Sequence, residues 1–166
     1  MIDIHILVPV WGERYLTSFM STSLPALLSP GNIPSLVGEC RITMVFLTTQ
    51  DSVAILQKHP TYAVLEQFCA VKYIFIEDLI ADSSHFAVPL TLAFVRGIVS
   101  AGPAMTNTYF ISYNADFVLA DGSLIGVLDM IKQGKDIILA TSFRVNAESI
   151  LPCITGVLSE QSTQLC

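Results

Sequence analysis

The sequence predicts an α/β protein with three layers, α/β/α, built on a mostly parallel, doubly wound sheet. Apolar, β-prone runs recur along the 166-residue chain, and helical patterns separate them in a βαβαβαβαβ order. This order favours a mainly parallel sheet with helices on both faces. The runs are apolar almost throughout, as expected for strands that helices cover on both sides. The chain is 52% hydrophobic, so it can supply one domain with a substantial core.

The first part of the chain supplies two predicted strands and two helices. Ile4–Val10 is a run of mainly β-branched and apolar residues, which is typical of a strand. Glu13–Leu28 is predicted as a helix that bends or breaks near Pro25, because proline lacks a backbone donor and clashes with the preceding turn. Arg41–Thr48 repeats the strand pattern, and Asp51–Lys58 follows as a helix.

The middle of the chain continues the alternation. Tyr62–Phe68 is a second helical piece after a break at Pro60, and Val71–Ile76 is the third strand. Ser84–Ala101 is predicted as a largely apolar helix, and Thr108–Tyr113 as the fourth strand.

The last predicted elements are one helix and one strand. Gly122–Lys132 is expected to be helical with Gly134 as its stop, since glycine favours helix ends. Asp136–Thr141 is predicted as the fifth strand. We therefore expect a single domain over residues 1–158, and a polar tail at 159–166 that is flexible.

Composition argues against several classes of protein. The net charge is −6 and basic residues are not clustered, so binding to a nucleic-acid backbone is not expected. No stretch offers the roughly 20 continuous apolar residues that a membrane-spanning helix needs. The start at Met1 has no basic segment, so we expect no signal peptide and a cytoplasmic location. With only 13% charged residues, exposed apolar surface and a homo-oligomer are also expected.

Polar residues follow the predicted strands, where open α/β sheets bind ligands. The most informative are Asn114 and Asp116, directly after the fourth strand. Their oxygens suit Mg²⁺ or Mn²⁺ carrying a diphosphate. Acidic residues follow four of the five strands, and we expect them to gather on one rim, where a cation would relieve their repulsion. The glycine-rich phosphate motifs and the G-x-S-x-G elbow do not occur.

Two segments resemble a known family. Val8–Leu16 resembles the opening strand and turn of inverting, family-2-like glycosyltransferases of the GT-A fold, which often read I-P-x-Y-N-x-x-x-Y-L there. Asn114–Asp116, followed by Gly122–Leu124, resembles the D-x-D segment and the G-S-L helix start of these enzymes. The order and spacing of the two segments are also similar, and the resemblance covers Ile4–Ser142. It implies a nucleotide-diphospho-sugar transferase fold and hexosyl transfer from a UDP- or GDP-linked sugar.

The resemblance implies a role for the residues after the first strand. Pro9 and Val10 would border the nucleotide base, with Glu13 nearby. Trp11 would stack on the base, or would only plug the end of the sheet. These are alternatives that the sequence leaves open.

Four more residues are implicated in binding the donor. Asp51, or Thr49 beside it, would read the edge of the base, although Asp51 also fits a helix N-cap. Asp78 would lie near the base and ribose, or at a solvated strand end. Arg96 would approach the diphosphate, or would serve as an exposed residue or a charge partner.

Asn114 and Asp116 would form the metal site. Asp116 would bind Mg²⁺ or Mn²⁺ through the diphosphate of the donor, and Asn114 stands where the family has its first acid. The neutral amide removes one charge, so the affinity for metal should be weakened. An ordinary Asx-rich turn is the alternative reading of this segment.

The resemblance ends before the part of the family that binds the acceptor. The acidic residues that follow the fifth predicted strand are only Glu148 and Glu160. Neither lies in the scaffold that the family uses for its general base, so no catalytic base is assigned. We expect either a fragment of a longer glycosyltransferase or a donor-binding domain. A non-catalytic nucleotide-binding or assembly module with the same fold is the alternative. A flavodoxin-like domain without sugar chemistry would require Asn114 and Asp116 to face away from the strand ends.

Overall fold

The sheet has the predicted α/β architecture. The structure is a computed structural model that describes residues 1–81, 87–146, 148–154 and 156. Within these residues the strands are β1 (Ile2–Pro9), β2 (Cys40–Thr48), β3 (Ala70–Phe75) and β4 (Thr108–Ser112). They pair in the order β3-β2-β1-β4, and every pairing is parallel. The chain builds outward from β1 to β3 and then crosses to the other side of β1, so the sheet is doubly wound.

Helices connect the strands and cover the sheet. They are α1 (Glu13–Ser18), α2 (Leu24–Leu27), α3 (Ile33–Leu36), α4 (Gln50–Lys58), α5 (Pro60–Phe68), α6 (Glu77–Ile80), α7 (Ala87–Val99) and α8 (Ser123–Lys132). A π helix, Phe19–Ser23, joins α1 to α2, and a 3₁₀ helix, Gly102–Asn107, precedes β4. The sequence did not predict α3, α6 or the 3₁₀ helix. No helix in the described part of the chain is long and apolar enough to cross a membrane.

The irregular first helix was predicted correctly. The segment α1, the π helix and α2 follow one another with helical dihedral angles at the junctions, and Pro25 lies in the first turn of α2. The break at Pro60 is also confirmed, since α4 ends at Lys58 and α5 begins at Pro60. The predicted start of the next helix, Ser84, lies outside the described residues.

The first face of the sheet carries most of the core. On β1 it is formed by Ile4, Ile6 and Val8, and on β2 by Met44 and Phe46, all of them at most 1% exposed. These side chains belong to one large cluster with the π helix, α2, α3, α5 and α8. Aromatic rings connect these layers: Phe46 makes an edge contact with Phe19 and stacks on Tyr73.

The second face of the sheet has a smaller core. Leu7, Val45 and Leu47 are fully buried there, together with Ile76 and with Ala93 of α7. The alternation of Ile6 and Leu7 on β1 thus sends neighbouring side chains into different cores, as the pleat of a strand requires.

Helix α7 lies close to the second face because the residues on its inner side are small. Its buried residues are Pro89, Ala93 and Gly97, four positions apart. A Cβ on Gly97 would lie 3.2 Å from side-chain atoms of both Leu7 and Leu47. The outer side carries large apolar residues with exposures of 46–62%: Val88, Leu92, Val95 and Val99. An oligomer formed through such a surface stays a prediction.

The fifth predicted strand is wrong. Residues Asp136–Thr141 follow α8 without pairing to any strand in the described structure. Ile137 and Leu139 are 81% and 92% exposed, while Ile138 between them packs against the first-face core. The segment has the composition of a strand, but a strand also needs a partner edge, which composition does not supply. Residues 148–154 are helical, and the predicted tail at 159–166 and Glu160 lie outside the described residues.

Candidate functional site

A cleft of about 230 Å³ lies beyond the carboxyl ends of β1 and β4. It is lined by Pro9, Val10, Trp11, Tyr15, Leu90, Asn114, Ala115 and Asp116. The strand order reverses between β1 and β4, and such a switch point is where open α/β sheets bind ligands. Five predicted site residues thus line one cleft: Pro9, Val10, Trp11, Asn114 and Asp116.

One wall of the cleft is formed where β1 ends. Val10 is buried, its backbone N–H donates to the Leu47 carbonyl oxygen at 3.0 Å, and its own carbonyl accepts from the Thr48 hydroxyl. Trp11 lines the cleft and also packs against the second-face core. Trp11 therefore plugs the end of the sheet, which is one of the two roles that the sequence left open. Its stacking on a base stays a prediction. Gly12 follows with φ of 77°, a conformation that favours glycine, and turns the chain into α1.

The opposite wall is a tight turn from Asn114 to Phe117. The Phe117 N–H donates to the Asn114 carbonyl oxygen at 3.0 Å, which closes the turn. Tyr113 lies just before it, with its N–H on the Leu7 carbonyl at 3.0 Å and its hydroxyl on the Phe117 carbonyl. Burial raises the pKa of the Tyr113 phenol well above its usual range, and the Asp116 carboxylate adds to the effect. The phenol therefore stays neutral.

The two predicted metal ligands differ in exposure. Asp116 is exposed and Asn114 is half-buried, and both line the cleft. They do not face away from the strand ends, as a flavodoxin-like domain without sugar chemistry would require. Residues Asn114–Phe117 also form a turn, so the segment can be an ordinary turn and still present oxygen ligands to a cation.

A buried hydroxyl holds this turn from the first-face side. Ser23, the last residue of the π helix, is 1% exposed and donates from its Oγ to the Ala115 carbonyl oxygen at 2.8 Å. Nothing in the local sequence around Ser23 indicated this contact, because its partner lies far along the chain.

The segment after the turn is held by a fully buried amide. Asn32 donates from Nδ2 to the Ala120 carbonyl oxygen at 3.1 Å, and its Oδ1 accepts from the Leu124 N–H at 3.0 Å. It thereby caps the start of α8, where Gly122 has no side chain to do so. Asp121 lies in a turn, and its Oδ1 accepts from the Gly31 N–H at 2.6 Å.

The predicted residues after β2 lie outside the lining of the cleft. Thr49 is the N-cap residue of α4, with its Oγ1 2.6 Å from the Ser52 Oγ. Asp51 lies in the first turn of α4 and is exposed, so the prediction that it is the N-cap was wrong by two positions. Glu13 is exposed in the first turn of α1 and is likewise not part of the lining. Their contact with a nucleotide stays a prediction.

Asp78 and Arg96 form an ion pair with each other. The Arg96 Nη2 lies 2.6 Å from the Asp78 Oδ2, and its Nη1 lies 2.7 Å from Oδ1 and 2.8 Å from the Phe75 carbonyl oxygen. The guanidinium holds the pKa of the Asp78 carboxyl below its ordinary value. Arg96 is thus a charge partner, the structural alternative for this residue. Neither side chain lines the cleft, and their contact with a donor stays a prediction.

The acidic residues do not gather on one rim, so this expectation was wrong. Glu77 accepts from the Gln50 N–H at 2.6 Å, and Asp78 is paired with Arg96. Within the described residues no group of three or more His, Cys, Asp or Glu side chains could hold a metal ion. For Glu77 and Asp78, a local hydrogen bond and an ion pair take the place of a shared cation.

A divalent cation fits the cleft only in part. Asp116 offers a carboxylate and Asn114 an amide oxygen, the hard ligands that Mg²⁺ and Mn²⁺ accept. Phosphate oxygens and water would have to complete the coordination.

Tyr15 and Leu90 line the cleft but were not among the predicted site residues. Tyr15 is 58% exposed and lies on α1 just after the β1 turn. Its place in the Val8–Leu16 segment was a signal that could have identified it. Leu90 comes from α7, and its position depends on how this helix crosses the sheet, which no local pattern reveals.

No protein-family model matches the chain, and no curated protein is significantly similar to it. Any function assigned to the chain therefore has to rest on the geometry of the cleft.

Proposed function

We propose that this chain binds a nucleotide-diphosphate sugar with Mg²⁺ or Mn²⁺ in the cleft, as the donor-binding domain of a glycosyltransferase. One observation supports the proposal. The two segments that resemble the GT-A enzymes are far apart in sequence, yet Pro9–Trp11 and Asn114–Asp116 line the same cleft at the switch point of the sheet.

The walls suggest how a donor would lie. Trp11 and Tyr15 offer aromatic surface to a base. Pro9 and Val10 lie beside them in the lining of the cleft. The cleft, at about 230 Å³, is smaller than typical ligand pockets of about 300–1,000 Å³. It therefore suits one part of the donor, with the rest extending over the rim.

The charge of the cleft supports the need for a cation. Among the described residues, its lining contains the Asp116 carboxylate and no basic side chain. A diphosphate that approached alone would be repelled by this carboxylate. A divalent cation between the two would turn the repulsion into attraction, with Asn114 as a neutral second ligand.

A non-catalytic nucleotide-binding module is the second candidate. Inverting transfer needs a carboxylate that takes the proton of the acceptor hydroxyl. Asp116 is the one acid that the described part of the chain contributes to the lining, and it is assigned to the cation. This observation favours binding without transfer.

Calorimetry tests the proposal. The chain is titrated with UDP, GDP, UDP-glucose and GDP-mannose, with and without Mn²⁺. We expect Mn²⁺-dependent binding that Asp116→Ala abolishes, because the variant loses its charged ligand. Asp129→Ala, an exposed acid on α8, is the matched control and should bind like the parent. Absence of metal-dependent binding in the parent, or equal affinity in Asp116→Ala, contradicts the proposal. Hydrolysis or transfer of the sugar would favour the transferase over the module.

A further inference from the structure

The Asn114–Phe117 turn is joined to the π helix by one buried hydroxyl. We propose that Ser23 is a positioning residue: by holding the central peptide of this turn, it sets how Asn114 and Asp116 meet a cation-bound diphosphate. The functional part of this inference rests on the function proposed above. The hydrogen bond from the Ser23 Oγ to the Ala115 carbonyl oxygen, 2.8 Å long and buried, is the contact that carries it.

The bonded carbonyl belongs to the central peptide of the four-residue turn. In the turn closed by Phe117 N–H and the Asn114 carbonyl, the Ala115–Asp116 peptide is central. A flip of the central peptide interconverts type I and type II turns, and type II needs a positive φ at the third residue. Asp116 occupies that position, and positive φ occurs only at glycines in the described chain. A partner on the Ala115 oxygen opposes the flip, which would also redirect Asp116.

Ser23 forgoes the usual local partner of a helical serine. Serine in a helix commonly donates to the carbonyl four residues earlier, and Ser21 of the same π helix does so with the Thr17 carbonyl at 2.8 Å. Ser23 instead donates to a residue beyond β4. The wide turn of the π helix shifts the side chains that follow it relative to α1, and such π turns are frequent at functional sites.

The first-face core makes this anchor rigid. Phe19 and Met20 of the π helix are at most 1% exposed and belong to the large cluster. Ser23 is therefore fixed on a packed element, while Asp116 is exposed on the turn. Outer residues that orient a metal ligand in this way commonly change metal affinity by about 10–100-fold when they are replaced.

The test compares two serines that each donate to a backbone carbonyl. Ser100, just after α7, is half-buried, donates from its Oγ to the Gly97 carbonyl oxygen at 2.7 Å and does not line the cleft. Ser23→Ala and Ser100→Ala both lose such a hydrogen bond and should both lower the melting temperature. We expect only Ser23→Ala to weaken Mn²⁺-dependent binding of UDP or GDP, by about tenfold. Parent-like affinity in Ser23→Ala, or an equal loss in Ser100→Ala, overturns the inference.

Two further measurements keep the outcome decisive. If Ser23→Ala does not fold, Ser23→Cys, which keeps a weaker donor at this position, should lose affinity by less than about tenfold; no loss overturns the inference. If the parent binds no nucleotide, the proposed function fails, and backbone NMR shifts of Asn114 and Asp116 still test the anchor. These shifts should change in Ser23→Ala and not in Ser100→Ala; unchanged shifts in both variants overturn it.

Discussion

The two faces of the sheet differ in how they are covered. The first face lies under several short helices and the π helix, with a large cluster of fully buried side chains. The second face has a small core, whose main cover is α7 with its short inner side chains. The cleft depends on both: Ser23 anchors its acidic wall from the first face, and Trp11 packs into the second. The comparison shows that the cleft at the switch point is supported by two separate cores.

The largest expected effect comes from truncating one buried side chain in each core. Ile6 and Leu7 are neighbours on β1, both are 0% exposed, and they point to opposite faces. We expect Ile6→Ala to lower the free energy of unfolding by about 4 kcal/mol, and Leu7→Ala by about 2–3 kcal/mol, since the cost depends on how far the site can collapse. We expect α7, which packs on the second face through small residues, to move towards the sheet more readily than the elements that cover the first face. Denaturant unfolding measures both, and a larger loss in Leu7→Ala would reverse the comparison.

An added methyl group should distinguish the faces by a smaller amount. A Cβ on Gly31 would lie 2.6 Å from the backbone nitrogen of Gly122, whereas one on Gly97 would meet the ends of leucine side chains at 3.2 Å. We expect Gly31→Ala to destabilise the protein by about 2 kcal/mol, because backbone atoms must move. Gly97→Ala should stay within about 1 kcal/mol of the parent, since alanine favours a helix. Thermal melts of the two variants test this, and equal losses would contradict it.

The smallest effect concerns pH and His5. Its Nδ1 is buried without a hydrogen-bond partner in the described structure, and its ring makes an edge contact with Phe110. Burial lowers the pKa of His5 and Lys72 adds to this, while Asp3 opposes it. The unfolded chain therefore binds more protons, so stability falls as pH drops below about 6.5. We expect His5→Gln to reduce this dependence between about pH 7 and pH 5. Parallel stability curves for parent and variant would refute the assignment.

Most of the fold followed from local patterns. Apolar runs were enough to predict the four strands, and prolines were enough to predict the break at Pro60 and the irregular helix near Pro25. The fifth strand failed because Asp136–Thr141 has strand composition but lacks a partner edge in the described structure. Helix α3 was not predicted, because it is only four residues long and contains Pro34, which the structure accommodates in its first turn.

The candidate site was predictable where the topology alone determines position. The carboxyl ends of parallel strands share one edge, so Pro9–Trp11 and Asn114–Asp116 could be placed together. The pairing of Asp78 with Arg96, and the reach of Ser23 to Ala115, depend on how helices pack on the sheet. Such contacts join distant parts of the chain, and no sequence window contains both partners.

The place of β1 in the sheet has a consequence for the order of folding. Ile6 pairs with Met44 on one side and with Ile111 on the other, so β4 is much more distant along the chain than β2. Closing a longer loop costs more entropy, and pairings of high sequence separation are slow to form. The cleft lies at the β1–β4 pairing and does not exist until this pairing has formed. A ligand in the cleft would thus bind only the completed sheet and would stabilise it by mass action.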